Sequence, residues 1–322
     1  MRLENYITEK SDISASDMEL AIVQAWDKKR MKYSRLKEYA KNIVEFLKAN
    51  GVSGKAEHIG SGYFPVSETW KKYGGTDSVP KTDILIGKYK ISVKKSGRSQ
   101  LMSGKKGESR ATFYSIIEKM NGAGINELIV EMESYFNNFI EKGVSSMNIS
   151  QQRKSGIHPE EVVAAEEAHS KFTKRLTEIF EYNTEFRNNV VHEAISGEIK
   201  FGGNIGTANY LLVFGNKNKW EKIDDMNFIS NIASRTTVNV SYKSKTKRGK
   251  YNYFSVVRLI SENIEDNREL LLEGKVTDVI QKVLSYFYKL WSKVKEFLKS
   301  SVENIFEFLL VEPELSIKDV SF

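Results

Sequence analysis

The clearest alternation of apolar and polar residues lies between positions 81 and 95, where it predicts a tight β-hairpin. Gly87-Lys88 suits a two-residue turn, because one class of such turns favours glycine at its first central position. Side chains alternate across a strand, so one face of the hairpin is apolar and consists of Ile84, Ile86, Tyr89, Ile91 and Val93. Asp83, Ser92 and Lys94 share the other face, with Lys94 diagonal to Asp83 and within side-chain reach. This polar face is therefore the first candidate for chemistry.

Apolar residues at helical spacing predict helices on both sides of the hairpin. We expect them at about residues 14–26, 33–50, 111–120 and 126–141, and at 160–195 as one long helix or two. Short apolar and β-branched runs predict strands at about residues 55–59, 198–201, 208–214, 236–244 and 251–258. The remaining stretch, about 264–310, is predicted to be an amphipathic helix.

These elements predict a mixed α/β (α+β) fold divided into three parts. Residues 1–145 form an α/β unit around the hairpin, 146–262 a second α/β unit, and 263–322 a helical tail. The polar segment 142–160, which contains Pro159, marks the boundary between the two α/β units.

Composition narrows the class of protein. The chain has 322 residues, of which 40% are hydrophobic and 28% charged, as is typical of a soluble globular protein. The lack of cysteine excludes disulfides and thiolate metal sites and suits a reducing compartment. Neither a signal peptide nor an apolar run of roughly 18 residues is present, so we expect a cytoplasmic protein with no membrane partner. The sequence also lacks His-x-x-x-His, phosphate-loop and Gly-x-Ser-x-Gly motifs.

Cations are concentrated directly after the hairpin. The net charge of +7 permits binding of a polyanion, and the glycine- and serine-rich segment 96–110 carries four cations against one acid. This segment reads either as a flexible solvated loop or as a phosphate-binding element. The candidate nucleic-acid contacts are Lys95, Arg98, Lys105, Lys106, Arg110 and, from a later strand, Lys243.

The order of a helix with Glu, a strand, a strand with Asp and a strand with x-x-Lys resembles the PD-(D/E)xK superfamily, which includes restriction endonucleases and repair nucleases. The resemblance covers about residues 33–140 and implies a restriction-endonuclease-like mixed sheet flanked by helices. It also implies that Asp83 binds Mg²⁺, or Mn²⁺, and that Lys94 positions or activates the attacking water. Gln100 stands where several members carry a glutamine that contacts substrate or water.

Ser92 is the main departure from this family, because most members carry an acid at that position. The resemblance implies that a carboxylate from elsewhere completes the metal site. Glu57 and Glu193 are the first candidates, and Glu45 and Glu108 are further ones.

The second half of the chain contains short strings that echo the first. Residues 240–243 (Val-Ser-Tyr-Lys) match residues 91–94 (Ile-Ser-Val-Lys), and Asn209 stands in the place of Asp83. The echo is explained by two nuclease-like units of which one has degenerated, by one site that draws residues from both halves, or by chance.

Three hypotheses about function follow. The first is a Mg²⁺-dependent endonuclease that hydrolyses DNA phosphodiester bonds. The second is a nuclease-fold protein without catalysis that binds DNA or a protein partner. The third is a structural or assembly protein, since the second half and the tail also resemble uncharacterised proteins of tailed phages. The expected partners are DNA and either a second copy of the chain or a phage protein.

Overall fold

A computed structural model of the chain describes residues 15–30, 32, 34–60, 62–120, 125–138, 159–215, 218–247 and 250–265. All of them lie in one compact unit, Met1–Asn267. A second unit, Arg268–Phe322, contains most of the predicted tail, which lies outside the described residues. Within the described residues, no helix has the length and apolar character needed to cross a membrane.

Helices and strands are interspersed along this unit. The helices are α1 (Ala15–Trp26), α2 (Lys37–Ala49), α3 (Glu68–Lys72), α4 (Lys106–Met120), α5 (Ile125–Asn137), α6 (Pro159–Tyr182), α7 (Thr184–Ser196), α8 (Glu198–Phe201) and α9 (Met226–Ser234). The strands are β1 (Ala56–His58), β2 (Ile84–Ile86), β3 (Tyr89–Lys95), β4 (Ser99–Gly104), β5 (Tyr210–Phe214), β6 (Lys219–Lys222), β7 (Thr236–Lys247) and β8 (Lys250–Ser261).

The strands form two sheets. The first has the order β1-β2-β3-β5-β6, in which β3 and β5 are parallel and the other neighbours are antiparallel. The second has the order β4-β8-β7 and is antiparallel throughout. The prediction of a mixed α/β fold, with a mixed sheet flanked by helices, is therefore confirmed.

The predicted hairpin is β2 and β3. Ile84 lies opposite Ile91 and Ile86 opposite Tyr89, so the predicted register is confirmed. Gly87 has a φ of +56°, and a Cβ atom there would lie 2.4 Å from the backbone oxygen of Ser53. Only glycine permits both this conformation and this approach of the neighbouring loop.

The five-stranded sheet is covered on both faces. Its hairpin residues Ile84, Ile86, Ile91 and Val93 are buried against α1 and α2 together with Leu212 and Phe214 of β5. The opposite face carries Leu211 and Val213, which pack with α4, α6, α7, α9 and the second sheet. Ser92 is in register with Leu211 and Lys94 with Val213, so Ser92 and Lys94 lie on this second face.

One local prediction is wrong, and one of the two interpretations of segment 96–110 is excluded. Residues 198–201 form helix α8 instead of a strand, flanked by Gly197 and Gly202 in the left-handed conformation. The segment 96–110 is not a flexible loop, because β4 pairs with β8 and α4 begins at Lys106. Between β3 and α4, tertiary pairing has overridden the low strand propensity of serine and glycine.

The two predicted α/β units share a sheet. β3 comes from the first and β5 from the second, and their pairing crosses the expected boundary near residue 145. Asn209, the position matched with Asp83, accepts a hydrogen bond from the Lys90 N–H at 2.8 Å and so belongs to the edge of the same sheet. Residues 240–243 lie in β7 of the second sheet. The echoing strings therefore occupy unlike positions in one fold.

Candidate active site

Asp83 lies immediately before β2, at the end of the hairpin away from its turn. Its Oδ2 accepts a hydrogen bond from the Val93 N–H at 2.6 Å and from Ser92 Oγ at 3.4 Å. The Asp83 N–H in turn donates to the Ile91 oxygen at 2.8 Å. The carboxylate is thus fixed against β3 through both its backbone and its side chain.

Lys94 completes this polar face. Its Nζ lies 3.5 Å from Asp83 Oδ2 and donates to Ser92 Oγ at 3.0 Å and to the Val93 oxygen at 3.1 Å. Ser92 is buried, with 1% of its surface exposed, whereas the Lys94 side chain retains 20%. The structure therefore brings together Asp83, Ser92 and Lys94, as the alternation of the hairpin predicts.

A second carboxylate, Glu19, reaches this site from helix α1. It is buried, and its Oε2 lies 3.2 Å from His58 Nε2 at the end of β1. A Cβ atom at Gly60 would lie 2.9 Å from Glu19 Oε2 and 3.6 Å from Asp83 Oδ1. The two carboxylates therefore border one small space, and the missing side chain of Gly60 leaves that space open.

The electrostatic environment of Glu19 links it to the rest of the site. Burial raises the pKa of the Glu19 carboxyl, and the negative charge of Asp83 raises it further, while the His58 hydrogen bond and the charge of Lys94 oppose the rise. A carboxylate held beside a second carboxylate in a partly desolvated place favours proton or cation binding.

Glu19 was not predicted as a site residue, although the sequence contains a signal for it. Met18, Ile22 and Trp26 lie at helical spacing on α1, and Glu19 falls on the same stripe. An acidic residue on the buried face of an amphipathic helix needs a partner or a ligand. Glu19 borders the same space as Asp83, whereas Glu45 is exposed on α2.

Glu57 and Glu193, the first candidates for the acid that is absent at Ser92, do not lie beside Asp83. Glu57 on β1 pairs with Lys55 at 2.9 Å, and its side chain is 47% exposed. Glu193 is buried on α7, where its two carboxylate oxygens accept the N–H groups of Ile199 and Lys200 at 2.8 and 2.9 Å. Glu193 thereby caps helix α8, which accounts for its position without a metal.

Glu108 and Gln100 are also apart from Asp83. Glu108 is in the first turn of α4, 3.8 Å from Lys200 Nζ. Gln100 is exposed on β4, at a bulge where it faces Ile260 of β8 in the second sheet. Neither side chain joins the polar face of the hairpin.

The two arginines predicted to contact nucleic acid form ion pairs with glutamates. Arg98 Nε lies 3.2 Å from Glu262 Oε1, and Arg110 pairs with Glu133 at 3.0 Å. Each arginine side chain is more than a third exposed, so both ion pairs are weak. A phosphate can therefore replace the carboxylate in either pair at little cost.

The predicted lysine contacts are spread over several elements. Lys95 is exposed at the end of β3, Lys105 is exposed before α4, and Lys106 is half-buried at the start of that helix. Lys243 belongs to β7, and its side chain lies outside the described part of the chain. Their role as nucleic-acid contacts remains a prediction.

Burial gives the stability of the fold a pH dependence through Glu193. Desolvation raises the pKa of Glu193 from 4.5 to about 7, although the backbone hydrogen bonds and the charge of Lys81 lower it. The folded protein then holds a proton that the unfolded chain has lost, so stability falls as pH rises from 4.5 to about 7. We expect a fall on the order of 3 kcal/mol in the free energy of unfolding.

Urea denaturation of wild type and Glu193→Gln at pH 5 and pH 8 measures this effect. The wild type should lose more stability between the two pH values than the variant, which has no proton to release. Equal losses in the two proteins would show that Glu193 ionises normally in the fold.

No group of three or more His, Cys, Asp or Glu side chains is placed to hold a metal ion anywhere in residues 15–265 that the structure describes. The candidate centre is instead a pair of carboxylates, Glu19 and Asp83, next to Lys94. Comparison with family models, curated proteins and solved structures finds no match to this chain.

Proposed function

We propose that this protein is a Mg²⁺-dependent endonuclease that hydrolyses DNA phosphodiester bonds. The observation that carries the proposal is the meeting of the Asp83 and Glu19 carboxylates with the Lys94 ammonium at one end of the hairpin. Two acids and a lysine, contributed by a helix and two neighbouring strands, are the groups that this chemistry requires.

The arrangement also supports the resemblance to the PD-(D/E)xK nucleases. Glu19 on α1, then β1, then Asp83 at β2 and Lys94 on β3 follow in the order on which the resemblance rests. The sheet is mixed, with helices on both faces, as expected of a restriction-endonuclease-like fold. In this order of elements, Glu19 corresponds to the glutamate on the helix that precedes the strands.

The residues present fit a magnesium ion. Mg²⁺ is bound by one or two carboxylates and keeps several of its waters. Asp83 Oδ1 and Glu19 Oε2 border the same space, and Gly60 leaves that space unfilled. When bound there, Mg²⁺, or Mn²⁺ in its place, supplies an activated water and neutralises phosphate charge.

The chain's own residues orient and stabilise the reacting groups. The Val93 N–H and Ser92 Oγ hold Asp83 Oδ2, so its other oxygen stays turned toward Glu19 and Gly60. Lys94 is held by Ser92 Oγ and the Val93 oxygen, and its positive charge stabilises the negative charge that develops on the phosphate. Ser92 therefore serves here as a spacer that positions both charged groups.

A plasmid-cleavage assay tests the proposal. Supercoiled DNA should become nicked or linear with the purified full chain in Mg²⁺ or Mn²⁺ and stay intact in EDTA, because Asp83 and Glu19 alone cannot activate water. Intact plasmid under all three conditions would contradict an endonuclease.

A nuclease-fold protein that binds DNA without cutting it is the second candidate. Ser92 favours it, since this buried hydroxyl stands in place of an acid and leaves two carboxylates at the site. This candidate requires binding of duplex DNA in EDTA and no turnover in either metal. Metal-dependent cutting would exclude it.

A further inference from the structure

His58 lies at the end of strand β1, beside the candidate active site, and has no role in the chemistry described above. Its Nε2 atom is 3.2 Å from Glu19 Oε2, within hydrogen-bonding distance. Both side chains are largely covered, with 18% of His58 and 8% of Glu19 exposed. The contact is therefore a sheltered link between strand β1 and helix α1.

The backbone next to His58 is attached to the second acidic residue of the site. The N–H groups of Ile59 and Gly60 donate to the Asp83 backbone oxygen at 2.9 and 3.0 Å. His58 itself is paired with strand β2, which Asp83 precedes. These three consecutive residues thus connect the side chain of Glu19 to the backbone of Asp83, and they set the spacing of the two acids.

Glu19 needs such a link to stay at the site. Helix α1 packs on the sheet through Met18 and Ile22, which fixes the backbone of Glu19 but leaves several rotamers open to its long side chain. The negative charge of Asp83 disfavours an ionised Glu19 carboxylate beside it. A hydrogen-bond donor is therefore required to hold the carboxylate in place, and His58 supplies one.

An N–H group on the ring is what this contact requires. An ionised carboxylate can only accept hydrogen bonds, so the proton of the contact lies on His58 Nε2. A neutral imidazole carries such a donor on one of its two nitrogens, and the ring needs no change of charge. The side-chain amide of glutamine can replace this donor, whereas leucine and phenylalanine cannot.

We propose that His58 is a positioning residue that holds the Glu19 carboxylate beside Asp83, so that the two acids bind one divalent cation. This inference rests on the proposed function and deepens it by adding the residue that keeps the cation site assembled. His58 acts through Glu19 and not on the cation. Loss of a hydrogen bond that orients a metal-binding side chain typically lowers metal affinity about 10- to 100-fold.

Binding of Mn²⁺ to the purified full chain tests this role, measured without DNA from the electron paramagnetic resonance signal of the free ion. His58→Leu removes the N–H, and the affinity for Mn²⁺ should fall about 10- to 100-fold. His58→Gln keeps an N–H and should bind within a few-fold of the wild type. The matched control is His192→Leu, because His192 is 17% exposed and lies 3.7 Å from Glu198, but belongs to helix α7. It should bind Mn²⁺ like the wild type.

Plasmid nicking adds a second measurement. In His58→Leu, the Mg²⁺ concentration that gives half of the maximal rate should rise by the same factor as the dissociation constant for Mn²⁺. The rate at saturating Mg²⁺ should stay within a few-fold of the wild type, because excess cation draws the Glu19 carboxylate back to Asp83. A histidine that only supported the fold would not change the Mg²⁺ dependence of a folded protein.

The outcomes separate this inference from the proposed function. If the wild type and the variants bind Mn²⁺ as expected and the wild type does not cut DNA, the inference stands and the endonuclease is excluded. If the wild type does not bind Mn²⁺, the inference fails whatever the result with DNA.

Thermal melting identifies the variants that are folded, and His58→Phe, which also lacks the N–H, is the second variant of this kind. A folded leucine or phenylalanine variant with the wild-type affinity for Mn²⁺ overturns the proposal. A glutamine variant that binds as weakly as the leucine variant overturns it as well. Unfolding of both the leucine and the phenylalanine variant would assign His58 to the fold instead of the cation site.

Discussion

Asp83→Asn is expected to reduce Mg²⁺-dependent DNA cleavage on the order of 1,000-fold, the scale expected when transition-state charge stabilisation is lost. Asparagine keeps an oxygen that can accept the Val93 N–H, so the hairpin should stay folded. It lacks the negative charge that a magnesium ion requires, and it is a poorer ligand. The initial rate of plasmid nicking, measured across Mg²⁺ concentrations, gives the size of the loss.

Asp224→Asn is the matched control, because Asp224 is exposed in the turn before α9. It should cut DNA at the wild-type rate and melt at the same temperature. A cleavage rate in Asp83→Asn within a few-fold of the wild type would remove Asp83 from the active site and with it the basis of the proposed function.

Glu19→Gln is expected to lower cleavage about 100-fold and, at the same time, to raise the free energy of unfolding. The loss follows because one of the two carboxylates that border the Gly60 space becomes neutral. The gain follows because burial and the charge of Asp83 disfavour the ionised form of Glu19, and glutamine has no charge to bury. Opposite changes in activity and stability distinguish a functional carboxylate from a structural one.

The sign of the stability change depends on pH. The folded-state pKa of Glu19 is raised above 4.5, so the folded protein is stabilised by the proton at low pH and loses this advantage as pH rises through that pKa. The advantage of the glutamine variant should therefore be larger at pH 8 than at pH 5. Urea denaturation of both proteins at the two pH values measures it.

Glu45→Gln provides the comparison for Glu19. Glu45 is exposed on α2, and its replacement should change neither cleavage nor stability beyond about 0.5 kcal/mol. If Glu19→Gln cuts like Glu45→Gln, Glu19 is not part of the active site, and Asp83 is its only carboxylate among the two proposed.

Wrong predictions in this chain share a cause. Residues 198–201 look like a strand because they contain Ile199 and Phe201, yet the buried Glu193 carboxylate accepts the N–H groups at the start of a helical turn. Residues 99–104 look like a loop, yet they pair with β8 on both sides of a bulge between Gln100 and Met102. In both cases a partner distant in the chain, or a buried side chain, overrides local preference.

The sequence alone determined the hairpin and its polar face. The turn at Gly87-Lys88 connects strands of opposite direction, and alternation then requires Asp83, Ser92 and Lys94 to share a side. Such local rules act over a few residues, so the distance between Asp83 and Lys94 was predictable without a fold.

Only the tertiary structure decided which second carboxylate meets Asp83. Helix α1 packs on the apolar side of the hairpin, and this packing carries Glu19 to the space beside Gly60, while Glu57 and Glu193 point to other partners. The physical reason is that burial of Met18 and Ile22 against the sheet sets the position of Glu19. Which surface a helix packs on depends on the apolar faces of the whole fold, so local rules do not determine this contact.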